Sequence, residues 1–166
     1  MLLRKINLYN RIQMIPLLMF IVICFSNFHP LVRRGKVISV KDGDTIEILY
    51  NGASLKIRLE HIDAPEKSQP WGKQSKIACS DFCFGKTVLV NGTKFDRYKR
   101  LLGEVEIPGG YNLNLSMVSN GHAWHFKKYS KNQNYAQTEL KARKSKVGLW
   151  ALSNPIPPWD WRKGTR

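Results

Sequence analysis

Three runs of alternating apolar and polar residues follow one another near the middle of the chain, with a turn sequence between each pair. The runs cover residues 36–40, 45–50 and 55–62, and the turns are Asp42-Gly43-Asp44 and Asn51-Gly52. Alternation with period two is typical of a strand, and Asn-Gly is the strongest short hairpin signal. The three runs are therefore predicted to form an antiparallel meander, in which the first turn and the end of the third strand lie at one edge.

Carboxylates are concentrated at this predicted edge, although the chain has few of them. Its 166 residues include 27 Lys and Arg but only 12 Asp and Glu, a net charge of +15 that favours a polyanionic partner such as nucleic acid or an anionic membrane. Asp44 lies in the first turn, and Asp63 and Glu66 follow the third strand on either side of Pro65. They are either ordinary turn residues or the two halves of a site for a hard cation, one half in each loop.

The rest of the chain predicts a mainly β fold with helices. Five short strands and about three α-helices in 166 residues suit one small α+β domain, an oligonucleotide-binding (OB) five-stranded Greek-key barrel. We place this domain at residues 31–152. Its further predicted elements are a helix at 72–84, strands at 87–90 and 103–107, and helices at 113–120 and 135–146.

The N-terminus has the pattern of a targeting segment. Basic residues at positions 4, 5 and 11 precede an uncharged apolar run over residues 14–25, and small residues follow near Ser26. A membrane-spanning helix needs about 20 apolar residues, so this run is short for that role. We expect residues 1–26 to be a signal peptide of an exported protein; the alternative is a retained N-terminal membrane anchor.

Residues 153–166 are rich in proline and tryptophan. Proline removes a backbone donor, so a helix through residues 155–158 is not expected. We interpret the segment as an extended strap whose Trp159 and Trp161 pack against the barrel. The alternative is an aromatic platform on which bases stack.

Several short motifs occur in the order and approximate spacing of the thermonuclease family, the staphylococcal-nuclease-like proteins. They are Asp42-Gly43-Asp44-Thr45, Ile57-Arg58-Leu59, Ile62-Asp63-Ala64-Pro65-Glu66, Asp96-Arg97-Tyr98-Lys99-Arg100, residues 112–115, residues 121–124 and Gly148-Leu149-Trp150. The chain resembles this family over residues 36–152. The resemblance implies an OB-type barrel and a Ca²⁺-dependent, sequence-nonspecific nuclease that hydrolyses DNA and RNA, with 3′-phosphate products. We expect a monomer without a protein partner.

The resemblance also implies a cation site. Asp44 and Asp63 match the carboxylates that bind calcium, and the backbone carbonyl of Ala64 matches the third protein ligand. Calcium accepts irregular shells of about 6 to 8 oxygen ligands, so two carboxylates, a carbonyl and waters suit it. We expect one Ca²⁺ ion. Asp42 is either an outer ligand or the cap of its turn.

By the same resemblance, three side chains carry the chemistry. Arg58 and Arg100 match the guanidinium groups that stabilise the transition state at the scissile phosphate, and Glu66 matches the carboxylate that activates or orients water. Lys99 stands where the family usually has glycine. If that position needs a positive φ, lysine there costs about 1 kcal/mol or shifts the loop that carries Arg100.

Basic residues beyond these motifs suggest where the substrate backbone lies. Lys127 and Lys128, with Tyr129, are candidate substrate-binding residues that contact phosphates without reading bases. For the lysines, the alternative is an ordinary solvated face.

Two other functions fit parts of the sequence. One is a non-catalytic nucleic-acid-binding OB-fold module of the same family, although such modules typically lose the carboxylates or arginines that are all present here. The other is a membrane-tethered interaction domain, which only the apolar N-terminus supports.

Overall fold

The structure, a computed structural model, describes residues 32–165. The predicted targeting segment, residues 1–26, lies outside the described residues. Among the described helices, none has the length and apolar character that a membrane span requires.

The described chain alternates short strands with helices. In chain order the elements are β1 (Val32–Val40), β2 (Thr45–Tyr50), β3 (Ala53–Leu59), β4 (Ile62–Asp63), α1 (Gly72–Cys83), β5 (Thr87–Phe95), β6 (Leu101–Ile107), β7 (Tyr111–Asn112), α2 (Leu113–Ser119), β8 (Trp124–His125), α3 (Gln133–Lys144), a 3₁₀ turn (Gly148–Ala151) and α4 (Pro158–Trp161).

Five strands close into a barrel. The sheet has the order β3-β2-β1-β5-β6, and a parallel pairing of β3 with β6 joins its two ends. Closure leaves neither of these strands as an open edge. The predicted five-stranded OB-type barrel with helices is confirmed, and the short strand β7 extends the sheet beside β6.

The predicted meander forms the wall of the barrel next to the acidic turns. Asn51 and Gly52 both have positive φ, 49° and 78°, as a type I′ hairpin turn requires. The hairpin register places Thr45 opposite Arg58. The amide of Leu59 also donates to the carbonyl of Asp44 at 2.8 Å. The turn before β2 and the end of β3 therefore lie against each other.

Several boundaries differ from the sequence prediction: β1 begins at Val32 instead of residue 36, and β5 extends to Phe95 instead of ending at residue 90. Two further differences bear on the site. The third strand does not continue to Ile62, because the chain turns at His61, which has φ 70°, and starts the separate strand β4 that pairs with β8. The proline-rich tail does contain one helical turn, which begins at Pro158. Proline is tolerated at the first position of a helix, where its missing N–H has no intrahelical partner.

The core fills the barrel and extends under α1. Ile46, Ile57 and Leu101 are fully buried, and so are Cys79 and Cys83, which are free thiols. Side chains alternate between the two faces of each strand, and the β-branched and leucine side chains face the inside of the barrel. Their burial therefore fixes which side chains face outward.

A second cluster of apolar residues holds the C-terminal segment. Trp159 stacks on Phe126 with ring centroids 5.5 Å apart and meets Trp124 edge-on at 5.7 Å. The Gln69 side chain also donates to the carbonyl of Ile156 at 2.6 Å. The ring of Trp159 thus lies in a packed interface, which holds the turn α4 close to β8.

Candidate active site

The two acidic loops meet at one rim of the barrel. The Ala64 amide donates to Asp44 Oδ2 at 2.7 Å, and Arg58 Nη2 lies 3.0 Å from both Asp44 Oδ2 and Asp63 Oδ1. Asp44 is 6% exposed and Asp63 is 2% exposed. The sequence interpretation that these two carboxylates converge thus matches the geometry, and Ala64 lies between them.

The first acidic turn is shaped by close contacts. Asp42 Oδ1 accepts from the Asp44 amide at 3.1 Å, so Asp42 caps its own turn. A Cβ at Gly43 would lie 1.9 Å from Ser75 Oγ and 2.7 Å from the Ala64 Cβ. Glycine is required here because the turn approaches α1 and the second acidic loop too closely for a side chain.

Arg58 is held by both of its terminal nitrogens. Nη1 donates to the carbonyls of Leu59 at 2.6 Å and Ile62 at 2.8 Å, while Nη2 contacts the two carboxylates. Its side chain is 12% exposed. The backbone turn at His61 brings these two carbonyls to the guanidinium, and their contacts hold its positive charge at the rim.

Burial disfavours the charged form of both aspartates. It raises the pKa of Asp44 to about 7 against the opposing charge of Arg58. Burial also raises the pKa of Asp63, although the Arg162 hydrogen bond and the charge of Arg58 act in the opposite direction. The positive charges of the protein therefore do not fully compensate these carboxylates, which is the electrostatic condition that favours an added cation.

Arg100 reaches the same rim from the other side. Its Nε and Nη2 contact Asp96 Oδ2, each at 2.8 Å, and Nη1 donates to Thr45 Oγ1 at 3.3 Å. Thr45 Oγ1 in turn donates to Asp44 Oδ1 at 3.1 Å. One hydroxyl therefore links the second arginine to the first carboxylate.

Lys99 adopts the left-handed conformation that glycine accepts more readily. Its φ is 59°, and the loop is closed by bonds of 3.0 Å from the Lys99 amide to the Asp96 carbonyl and from the Arg100 amide to Asp96 Oδ1. The lysine thus takes on the backbone strain, and the loop still directs Arg100 to Thr45.

Glu66 lies beside Asp63 and shares a partner that sequence reasoning missed. Arg162 Nη1 contacts Glu66 Oε1 at 2.7 Å, and Nη2 contacts Asp63 Oδ2 at 2.7 Å. Arg162 follows α4 directly. The prolines and tryptophans of residues 153–166 indicate a packed tail, but no spacing rule connects Arg162 to carboxylates almost 100 residues earlier.

The three candidate substrate-binding residues lie on a neighbouring surface. Lys127 Nζ is 3.3 Å from Glu139 Oε2, and Lys128 Nζ lies 5.4 Å from the centre of the Tyr129 ring. Tyr129 is 73% exposed and packs edge-on against Phe126, which stacks on Trp159. This aromatic and basic surface borders the C-terminal turn that carries Arg162.

The donor atoms at the rim suit a hard cation better than a transition metal. Among residues 32–165 there is no group of three or more His, Cys, Asp and Glu side chains placed to hold an ion. The site instead offers the carboxylates of Asp44 and Asp63 beside the buried Ala64 backbone. Calcium accepts such a set because water and carbonyl oxygens complete its shell.

The fold and the rim define a small OB-type barrel protein with paired carboxylates and guanidinium groups at one site. Residues 56–152 match the family model described as staphylococcal nuclease homologue. The chain is 41% identical over 152 residues to an uncharacterized endonuclease of Escherichia coli O157:H7, covering 89% of this chain and 95% of the relative.

Two further relatives carry similar descriptions. A protein of Haemophilus influenzae, also described as an uncharacterized endonuclease, is 43% identical over 129 residues, covering 77% of this chain and 72% of the relative. A micrococcal nuclease of Shigella flexneri is 37% identical over 143 residues, covering 80% of this chain and 82% of the relative. The chain therefore belongs to the staphylococcal nuclease family and is a nuclease of that family.

Proposed function

We propose that this chain is a Ca²⁺-dependent nuclease that hydrolyses phosphodiester bonds of DNA and RNA without reading the bases. The observation that carries the proposal is that the buried carboxylates of Asp44 and Asp63 both contact Arg58. Arg100 reaches the Asp44 carboxylate through the hydroxyl of Thr45. The endonuclease names of the relatives support cleavage within a strand.

The two arginines supply fixed positive charge. Hydrolysis of a phosphodiester concentrates negative charge on the phosphoryl oxygens in the transition state, and charge that is already oriented there lowers the barrier. Arg58 is oriented by two backbone carbonyls, and Arg100 is oriented by Asp96. A guanidinium stays protonated over the working pH range and offers a planar pair of donors to a phosphate.

Asp44 and Asp63, with the backbone carbonyl of Ala64, would hold the cation. A bound Ca²⁺ supplies Lewis-acid stabilisation of phosphoryl oxygens and lowers the pKa of water that it coordinates. The raised pKa values of both aspartates support this assignment, because a cation offsets the desolvation that burial imposes on them.

We assign Glu66 the role of acting on water. Its side chain is 42% exposed and lies beside Asp63 through their shared partner Arg162. A carboxylate in this position accepts a proton from the attacking water or orients that water by a hydrogen bond. Lys127, Lys128 and Tyr129 would contact the backbone and bases of the strand on the neighbouring surface.

The test is hydrolysis of plasmid DNA, single-stranded DNA and RNA in Ca²⁺ and in excess EGTA. We expect activity in Ca²⁺, none in EGTA, and a loss of at least about 100-fold in Glu66→Gln. Glu106→Gln is the matched control, because Glu106 is exposed on β6 and should keep the parental rate. Full activity in EGTA or in Glu66→Gln would reject the mechanism; tight binding without hydrolysis would favour the non-catalytic module.

We also propose that the protein is exported, on the basis of the N-terminal charge and apolar pattern alone. Expression of the full chain in a bacterial host, followed by N-terminal sequencing of the extracytoplasmic protein, tests this. An N-terminus near residue 27 is expected, whereas an intact N-terminus in the membrane fraction would indicate a retained anchor.

A further inference from the structure

Arg162, in the C-terminal segment, contacts the same carboxylate that the proposed cation would need. Arg162 Nη2 lies 2.7 Å from Asp63 Oδ2, and Nη1 lies 3.4 Å from Asp63 Oδ1 and 2.7 Å from Glu66 Oε1. A guanidinium that contacts two carboxylates is a geometry favoured for charge-assisted hydrogen bonds.

The two oxygens of Asp63 make their shortest contacts to different arginines. Oδ1 accepts from Arg58 Nη2 at 3.0 Å, a guanidinium that two backbone carbonyls also hold. The short contact to Oδ2 comes from Arg162. Oδ2 is therefore the oxygen that Asp63 can most readily offer to a cation, and it is the oxygen that Arg162 occupies.

The two arginines differ in how firmly they are held. The Arg58 side chain is 12% exposed and lies within the barrel rim, whereas the Arg162 side chain is 43% exposed. Arg162 follows a helical turn of four residues, and the packed anchor of that turn, Trp159, lies three positions before it. The guanidinium of Arg162 can therefore leave the carboxylates while Trp159 stays packed, and the end of the turn then loses its contacts to Asp63 and Glu66.

We propose that Arg162 is a displaceable substitute for the cation: its guanidinium holds Asp63 and Glu66 until Ca²⁺ binds, and it competes with Ca²⁺ for Asp63 Oδ2. This inference rests on the proposed function, because it assumes a cation at Asp44 and Asp63. The C-terminal turn thereby sets the cation concentration at which the site fills. Cation binding also frees Glu66 from its ion pair, so that its carboxylate becomes available to water.

The first test is calorimetric titration of Ca²⁺ into the parent, Arg162→Gln and Lys163→Gln. Lys163 pairs with Asp160 at 3.2 Å, so its substitution removes one positive charge from the same segment but no contact to Asp63. Arg162→Gln should bind Ca²⁺ at least about fivefold more tightly than the parent, the effect of losing one half-exposed ion pair, while Lys163→Gln should stay within about twofold.

The second test measures hydrogen exchange of the backbone over residues 157–165 in the parent. The amides of Trp161 and Arg162 donate to the carbonyls of Pro157 and Pro158 at 3.0 Å, so they report on the turn. Saturating Ca²⁺ should speed their exchange in the parent and change it little in Arg162→Gln, in which the contact to the carboxylates is already lost.

Each other outcome overturns the inference in a distinguishable way. If the parent binds Ca²⁺ but Arg162→Gln binds it equally or more weakly, Arg162 does not compete, and a weaker affinity would assign it to positioning Asp63 and Glu66. If the gain in Arg162→Gln equals that in Lys163→Gln, the effect is one of net charge alone. If neither protein binds Ca²⁺, the proposed cation site fails together with the inference.

Discussion

Replacement of Arg58 by lysine should cost both stability and activity. Arg58 makes two contacts to carboxylates through Nη2 and two to the carbonyls of Leu59 and Ile62 through Nη1. A lysine ammonium is a single point and cannot reproduce this fork. If Nζ stays near the carboxylates, the two carbonyls lose their donor, at about 1 to 3 kcal/mol for each group left buried and unpaired.

The expected total for Arg58→Lys is therefore about 3 kcal/mol of unfolding free energy, or roughly 10 °C in melting temperature for a domain of this size. Calorimetry without Ca²⁺ measures this loss, and hydrolysis with Ca²⁺ should fall by at least about 100-fold. Arg100→Lys is the contrasting variant: the Arg100 side chain is 26% exposed, and its contact to the buried Thr45 is long, at 3.3 Å, so it should lose activity with less than about 1 kcal/mol of stability. If Arg58→Lys has the same melting temperature as the parent, the contacts of Arg58 to the Leu59 and Ile62 carbonyls do not contribute to stability as proposed.

Three smaller perturbations test other parts of the account. Lys99→Gly relieves the positive φ of 59° but adds chain entropy to the unfolded state, so stability should change by less than about 1 kcal/mol and the rate by less than about threefold; a much larger rate gain would show that lysine misplaces Arg100. Burial lowers the pKa of His122, whose Nδ1 accepts from Trp71 Nε1 at 3.3 Å. The unfolded chain therefore binds more protons, and the melting temperature of the parent should fall more steeply below about pH 6.5 than that of His122→Asn; parallel curves would contradict this. Lys128→Ala should reduce the salt dependence of DNA binding by a slope of about one and weaken all sequences alike, whereas an unchanged slope would place Lys128 on a solvated face.

The parts of the fold that sequence predicts are those that local patterns specify. Alternation and the Asn51-Gly52 turn specify the meander, and the meander alone brings the Asp44 turn to the end of β3. The contact between the acidic loops was predictable for this reason, since it follows from strand pairing between neighbours in the chain.

The features that sequence missed depend on contacts between distant segments. The turn at His61 has a positive φ, and its imidazole Nδ1 is 3.0 Å from Ser130 Oγ, 69 residues later. Histidine enters the left-handed region more often than most residues, but the alternating pattern around position 61 gives no sign that the chain turns there, so the predicted third strand extends too far. The same reason applies to Arg162, whose contacts to Asp63 and Glu66 span 99 and 96 residues.

A crystal structure of the protein grown with Ca²⁺, with the ion located by anomalous scattering, tests the proposed cation site most directly. We expect one ion whose ligands include carboxylate oxygens of Asp44 and Asp63, at about 2.3–2.6 Å, between Arg58 and Arg100. An ion bound elsewhere, or a site that keeps both aspartates paired only with arginine in saturating Ca²⁺, would contradict it.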